Sequence, residues 1–266
     1  MSQTGTVRPF NAIVLGMPRS GTSLSAAIFA RHGYFLAEHA EEELRPGDEH
    51  NPSGYFEAEG LIERNVSLFR RVGYQAHNTW LFEPISSQQA DALQRLKASD
   101  TDLDFIRRYE QHRPWLWKDP RLCYTLAYWW PLIDAGSTRV LVLRRRPEEI
   151  WNSFVRLDWR RNTEAERQDV YLRIDHHIDT ALETIARLRI PHEIVHYDEF
   201  STDPRATAEK ISNCFNLRLD ARALGFDGHL NSTTLARRLA TFLRRQRDGL
   251  SALIPDAVKD AIRTGR

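Results

Sequence analysis

The chain has little of what would tie it together covalently or hold it in a bilayer. Its 266 residues include two cysteines, Cys123 and Cys214, far apart and without CxxC spacing, which argues against a disulfide framework or a structural zinc site. Acidic and basic residues nearly cancel, 36 against 37, so no global field draws the protein to nucleic acid or to an anionic membrane surface. No apolar run is long enough to span a bilayer, and the one at residues 12–15 is too short for a signal-peptide core. A cytoplasmic protein is therefore expected. Repeats, low-complexity tracts and a recognisable linker are also missing, so a single domain over residues 1–266 is expected, with residues 1–9 as a flexible lead.

What is present alternates between strand and helix signals. Residues 12–15 read as a strand, a glycine-containing turn follows, and residues 22–31 read as a helix with Leu24, Ala27 and Ile28 on one face. Further strand signals lie at 115–117, 139–143 and 193–196, the last after a long helical stretch. This pattern predicts an α/β fold with a central parallel sheet flanked by helices. The polar stretch 38–52 reads as a loop suited to act as a lid. Residues 206–215, 233–245 and 257–262 read as helices, making 218–266 mostly helical.

Residues 16–23, GMPRSGTS, carry two glycines five apart between strand and helix, the spacing of a Walker A loop. Backbone N–H groups of such a loop, with the positive end of the following helix, form an anion cradle. Two residues needed by a magnesium-dependent nucleoside-triphosphate enzyme are absent. Thr22 stands where a Lys would reach the terminal phosphates, and strand 140–143 runs into Arg144, Arg145 and Arg146 instead of a metal-holding Asp. The loop thus suits a nucleotide whose charge is countered by side chains, Arg19 among them, and no metal is expected. A second anion site is suggested by residues 145–153, RRPEEIWNS, in which Arg145 leaves a strand end and Ser153 lies about two turns into the next helix.

These two motifs, in this order, resemble those of the PAPS-dependent sulfotransferase family, whose P-loop-kinase-like α/β fold works without a metal. The resemblance spans residues 12–217. It includes residues 196–200, HYDEF, followed by Asp203 and Pro204, similar to the family's YExL and DP segment. It implies that 3'-phosphoadenosine 5'-phosphosulfate (PAPS) is the co-substrate and PAP the product. It further implies that Arg19, Ser20, Gly21, Thr22 and Ser23 hold the 5'-phosphosulfate and that Arg145 and Ser153 hold the 3'-phosphate. Two departures stand out. Arg19 replaces the Lys of much of the family, exchanging a point charge for a planar fork, and Leu24 stands where the cytosolic branch has an adenine-stacking Trp. The glycine-containing basic loop that closes on the nucleotide in that branch has only a weak counterpart in residues 244–249, RRQRDG.

Residues 117–121, WKDPR, stand where the cytosolic branch carries a KTH motif; Lys118 matches the Lys and the His is absent. Residues 51–57, NPSGYFE, are similar to the NPxGxFE segment of bacterial members, and the Golgi and bacterial branches use a Glu as base. The resemblance therefore makes Glu57 the first candidate base, with Asp119, Glu38, His39 and His50 as alternates. Lys118 and Arg19 would balance charge on the leaving and transferring groups. Asp119 and Arg121 also read as a structural ion pair. Tyr124, Tyr128, Trp129 and Trp130, with Trp80 and Phe82, are candidates for an acceptor pocket or, more simply, core. His176 and His177 read as solvated. The expected acceptor is a hydroxyl or amine of a small molecule, carbohydrate or lipid, and homodimers are frequent in the family. Two rival readings are a P-loop kinase or NTPase, and a nucleotide-binding protein of this fold without catalysis.

Overall fold

A computed structural model describes residues 8–48, 51, 54–75 and 82–226. They fall into two compact units, 8–145 with 173–226, and 146–172. The first unit is built on four parallel strands, β1 (Asn11–Leu15), β2 (Leu116–Lys118), β3 (Thr138–Arg144) and β4 (His192–His196), in the order β2-β1-β3-β4. The predicted parallel sheet is thus found. One strand begins a residue later than its apolar run: Trp115 instead bridges to Phe35.

Side-chain alternation along the strands builds a core on each face of the sheet. Ile13, Leu15, Val140 and Val142 join Trp115 and Trp117 on one side, whereas Ala12, Val14, Leu141 and Leu143 join Leu116 and Val195 on the other. At the strand starts, buried Asn11 accepts from the Trp115 N–H (3.2 Å) and donates to Thr138 Oγ1 (3.4 Å), tying three strands in register. The exposed ends of β4, His192 and His196, keep this edge polar.

Between β1 and β2 run α1 (Thr22–Arg31), α2 (Ala40–Glu43), α3 (Glu59–Arg71), α4 (Ser87–Arg95) and α5 (Asp100–Gln111). The stretch expected to be all loop therefore contains one turn of helix, because four residues of strong helix propensity, AEEE, follow His39. Capping boxes start α4 at Ser86 with Gln89 and α5 at Ser99 with Asp102. α6 (Leu122–Trp129) joins β2 to β3, and after β4 come α9 (Glu199–Thr202) and α10 (Pro204–Phe215). The second unit holds α7 (Pro147–Arg156) and the start of α8 (Glu164–Leu188), whose residues 173–188 belong to the first. The predicted helices at 233–245 and 257–262, with Trp80, His50 and residues 244–249, lie outside the described residues. Both cysteines are free thiols. No helix among the described residues is long and apolar enough to cross a membrane.

His177 corrects the expectation of a solvated pair on α8. Its ring is 0% exposed, stacks on Phe82 at 4.9 Å and meets Tyr124 edge-on at 4.8 Å, and its nitrogens make no well-formed hydrogen bond, the backbone of Pro120 giving only weak support to the charged form. Burial pushes its pKa down to about 3, so the folded chain keeps the ring neutral while an unfolded chain takes up a proton below about pH 6.5. The stability this group supports is full above that pH and declines as pH falls toward the folded value. Chemical denaturation at pH 7 and pH 5 should therefore show the wild type losing about 2 kcal/mol more than His177→Phe. Equal losses would mean that the ring is hydrated or bonded in solution.

Candidate active site

β1 stops at Gly16, where the chain turns too tightly for a side chain: a Cβ there would lie 2.6 Å from Ser20 Oγ and 3.0 Å from the Leu143 carbonyl. Arg19 (φ 71°) and Gly21 (φ 101°) carry the turn through the left-handed region into α1, a conformation that costs a non-glycine residue about 1–3 kcal/mol. No side chain caps the start of α1, so its first N–H groups await another acceptor. Ser20 Oγ is buried without a hydrogen-bond partner. Such a hydroxyl costs about 1–3 kcal/mol, and an anion seated in the loop would relieve it.

The sheet order places a second cation beside this loop. The connection from β1 leads toward β2 and that from β3 leads toward β4, so the loops after these neighbouring strands part at a switch point, where open α/β sheets bind ligands. Arg145, just past β3, donates from Nη1 to the Arg19 carbonyl at 2.9 Å. Burial lowers the pKa of the Arg19 guanidinium, Tyr55 opposes this, and the charge of Arg145 adds to the lowering. The two like charges act on each other, and a bound anion would relieve this. Arg144 and Arg146 are exposed, and Arg146 pairs with Glu149 on its own helix. Arg145 thus contacts the backbone of the loop directly. Ser153, on α7 in the second unit, is buried and accepts from Arg156 at 3.2 Å.

Lys118 approaches the same loop from β2. Its register partner on β1 is Val14, two residues before Gly16. Its Nζ donates to Glu57 Oε1 at 2.5 Å and lies 3.5 Å from Ser23 Oγ. Lys118 is 3% and Glu57 1% exposed. The other Glu57 oxygen accepts from Arg45 at 3.4 Å, and the Arg45 N–H donates to the Glu57 carbonyl at 2.8 Å. Phe56, immediately before Glu57, has φ 56°, an unfavourable conformation for a bulky residue and one that is concentrated at functional sites. The loop, Lys118 and Glu57 therefore form one continuous polar cluster.

The sequence model of the Sulfotransferase family matches residues 11–221, which include every one of these residues. The chain belongs to the sulfotransferase family. No curated protein matches the sequence. Among solved structures, the sulfotransferase domain of the Synechococcus PCC 7002 olefin synthase is 21% identical, with a TM-score of 0.46, over 90% of this chain and 86% of that one. The sulfotransferase domain from the curacin biosynthetic pathway is 16% identical, with a TM-score of 0.48, over 87% and 83%. Sulfotransferase STF1 from Mycobacterium tuberculosis H37Rv is 16% identical, with a TM-score of 0.46, over 91% and 77%.

The alternates to Glu57 are placed differently in this sulfotransferase. Asp119 is buried and held by three hydrogen bonds, accepting from Asn65 Nδ2 (2.8 Å), the Arg121 N–H (3.1 Å) and Arg121 Nη1 (2.9 Å). Asn65 in turn accepts from Thr125 and Trp129, both at 2.8 Å. This network fixes the turn that follows Lys118. His39 is exposed, and Glu38 pairs with Arg108 on α5 at 3.7 Å. Phe82, Tyr124, Tyr128, Trp129 and Trp130 are buried in the core, so the described part of the aromatic set packs the sheet. Leu24 packs partly buried against the other face. No motif marks Arg45, whose link to Glu57 comes from a bridge between Leu44 and Ala58. Among the described residues no group of three or more His, Cys, Asp or Glu is placed to hold a metal.

Proposed function

We propose that this sulfotransferase takes PAPS as donor and transfers its sulfuryl group to a hydroxyl or amine of a small-molecule, carbohydrate or lipid acceptor. The observation that carries the reading is the Arg145 guanidinium laid on Arg19 of the loop, because two adjacent cationic sites suit a nucleotide with anionic groups at both its 5' and 3' positions. Arg19, Ser20, Gly21, Thr22 and Ser23 hold the 5'-phosphosulfate, and Arg145 holds the 3'-phosphate. The acceptor oxygen or nitrogen bonds to sulfur as the sulfur's bond to the bridging phosphate oxygen breaks, PAP leaves, and the acceptor proton passes to Glu57. Lys118 and Arg19 meet the charge that develops on the leaving and transferring groups.

The ion pair between Glu57 and Lys118 fits this division of labour. A carboxylate has about four acceptor positions, and here Lys118 and Arg45 use one on each oxygen. Charge building on the leaving oxygen draws Lys118 toward the loop, already 3.5 Å away at Ser23, and frees Glu57 as the proton must move. The nucleotide's charge is met by Arg19, Arg145 and Lys118, so the account uses no metal. Two free thiols are in keeping with work in a reducing cytoplasm.

Calorimetric titration with PAP, with and without EDTA, against ATP with magnesium tests the donor. EDTA-insensitive binding of PAP, tighter than that of magnesium ATP, is expected. A preference for ATP with magnesium would sink the reading in favour of a kinase or NTPase.

A further inference from the structure

Tyr197 lies one residue past β4, and its backbone N–H donates to the Arg144 carbonyl at 2.8 Å. Its place is therefore set by the pairing of β4 with β3, the strand that delivers Arg145. The edge of its ring rests against the phosphate loop: a Cβ on Gly21 would lie 2.3 Å from Tyr197 Cδ2 and 2.8 Å from Cε2. Its face lies under Arg145, whose Cζ stands 4.0 Å from the ring centroid. Phe200 and Phe226 pack around the same ring, at 6.3 and 5.9 Å. One side chain thus touches both Gly21 of the first anion site and the guanidinium of the second.

An arginine at a strand end has several rotamers, and freezing one on ligand binding weakens affinity. Arg145 is already restrained by the ring beneath it and by its bond to the Arg19 carbonyl. We propose that Tyr197 is a positioning residue: wedged between Gly21 and Arg145, it sets the separation of the two anion sites and hence the preference for a nucleotide phosphorylated at both 3' and 5'. The same wedge explains why the loop needs glycine at position 21, since any side chain there would displace the ring. The inference rests on the donor proposed above.

The test is the ratio of affinities for PAP and for adenosine 5'-monophosphate, measured by calorimetry on the wild type, Tyr197→Leu and Tyr197→Phe. Leu keeps apolar bulk and removes the π face, so the ratio should fall by about 5- to 30-fold through weaker PAP binding alone. Phe keeps the face and should keep the ratio. Tyr197→Met, whose flexible chain fills similar space, serves if the Leu variant does not fold. Equal losses for both nucleotides, an unchanged ratio in the Leu or Met variant, or a Phe variant as poor as Leu would each overturn the positioning role. A wild type that does not prefer PAP would instead overturn the donor assignment, and the inference with it.

Discussion

Replacing Glu57 by Gln is expected to slow sulfuryl transfer to a verified acceptor by about 100- to 10,000-fold while leaving PAP affinity nearly unchanged. The amide keeps the shape of the side chain and its place beside Lys118 but has no capacity to take a proton at working pH. Base assistance acts in the transition state, so the loss falls on turnover. Thermal unfolding of the variant separates lost chemistry from lost packing, because Glu57 is buried and paired. Near-normal turnover by a folded Glu57→Gln protein would remove Glu57 from the mechanism. Asp119, which accepts three hydrogen bonds from Asn65 and Arg121 against two for Glu57, would be tested next, and then His50.

Lys118→Met should produce two separable effects. Transfer should fall by about 100- to 1,000-fold, the usual cost of removing one donor to a developing oxyanion. Stability should fall as well, by about 3 kcal/mol, because the change strands the buried Glu57 carboxylate with only the more distant Arg45. The double variant Glu57→Gln with Lys118→Met removes both charges, so it should recover most of the lost stability while staying as slow as the worse single variant. Urea unfolding and turnover on the same four proteins complete the cycle. Stability that does not recover would mean that the two groups are not coupled, and turnover that does recover would mean that the pair is structural.

What was legible in the sequence was local. The candidate phosphate loop occupies one strand, one turn and one helix in contiguous residues, and a Cβ on either of its glycines would run into a neighbouring side chain. The run of arginines leaving β3 was legible for the same reason, whereas the bond from Arg145 to the Arg19 carbonyl was not. Lys118 and Glu57 could each be picked out as candidates. Their direct bond could not, because 61 positions of sequence separate them and Glu57 lies outside the strands whose pairing places Lys118. Arg45 reaches Glu57 through a bridge between Leu44, in a segment that reads as loop, and Ala58 beyond it. Tyr197 was visible as part of a motif, but its contacts follow from the pairing of β4 with β3. His177 is different, because the signal was there to be read: Ile174, Ile178, Ala181 and Ile185 mark the buried stripe of α8, and position 177 falls on it. The polar neighbours of His177 hid that spacing.

The most direct test of the account is transfer itself. Purified protein is incubated with sulfur-labelled PAPS and fractionated metabolites in the presence of EDTA, and both label and PAP are followed. The account predicts label in a new sulfated product together with an equal amount of PAP, lost in Glu57→Gln. PAP-binding protein that leaves all the label on the donor across every fraction would contradict it, and would make the chain a nucleotide-binding protein that has kept this fold without its chemistry.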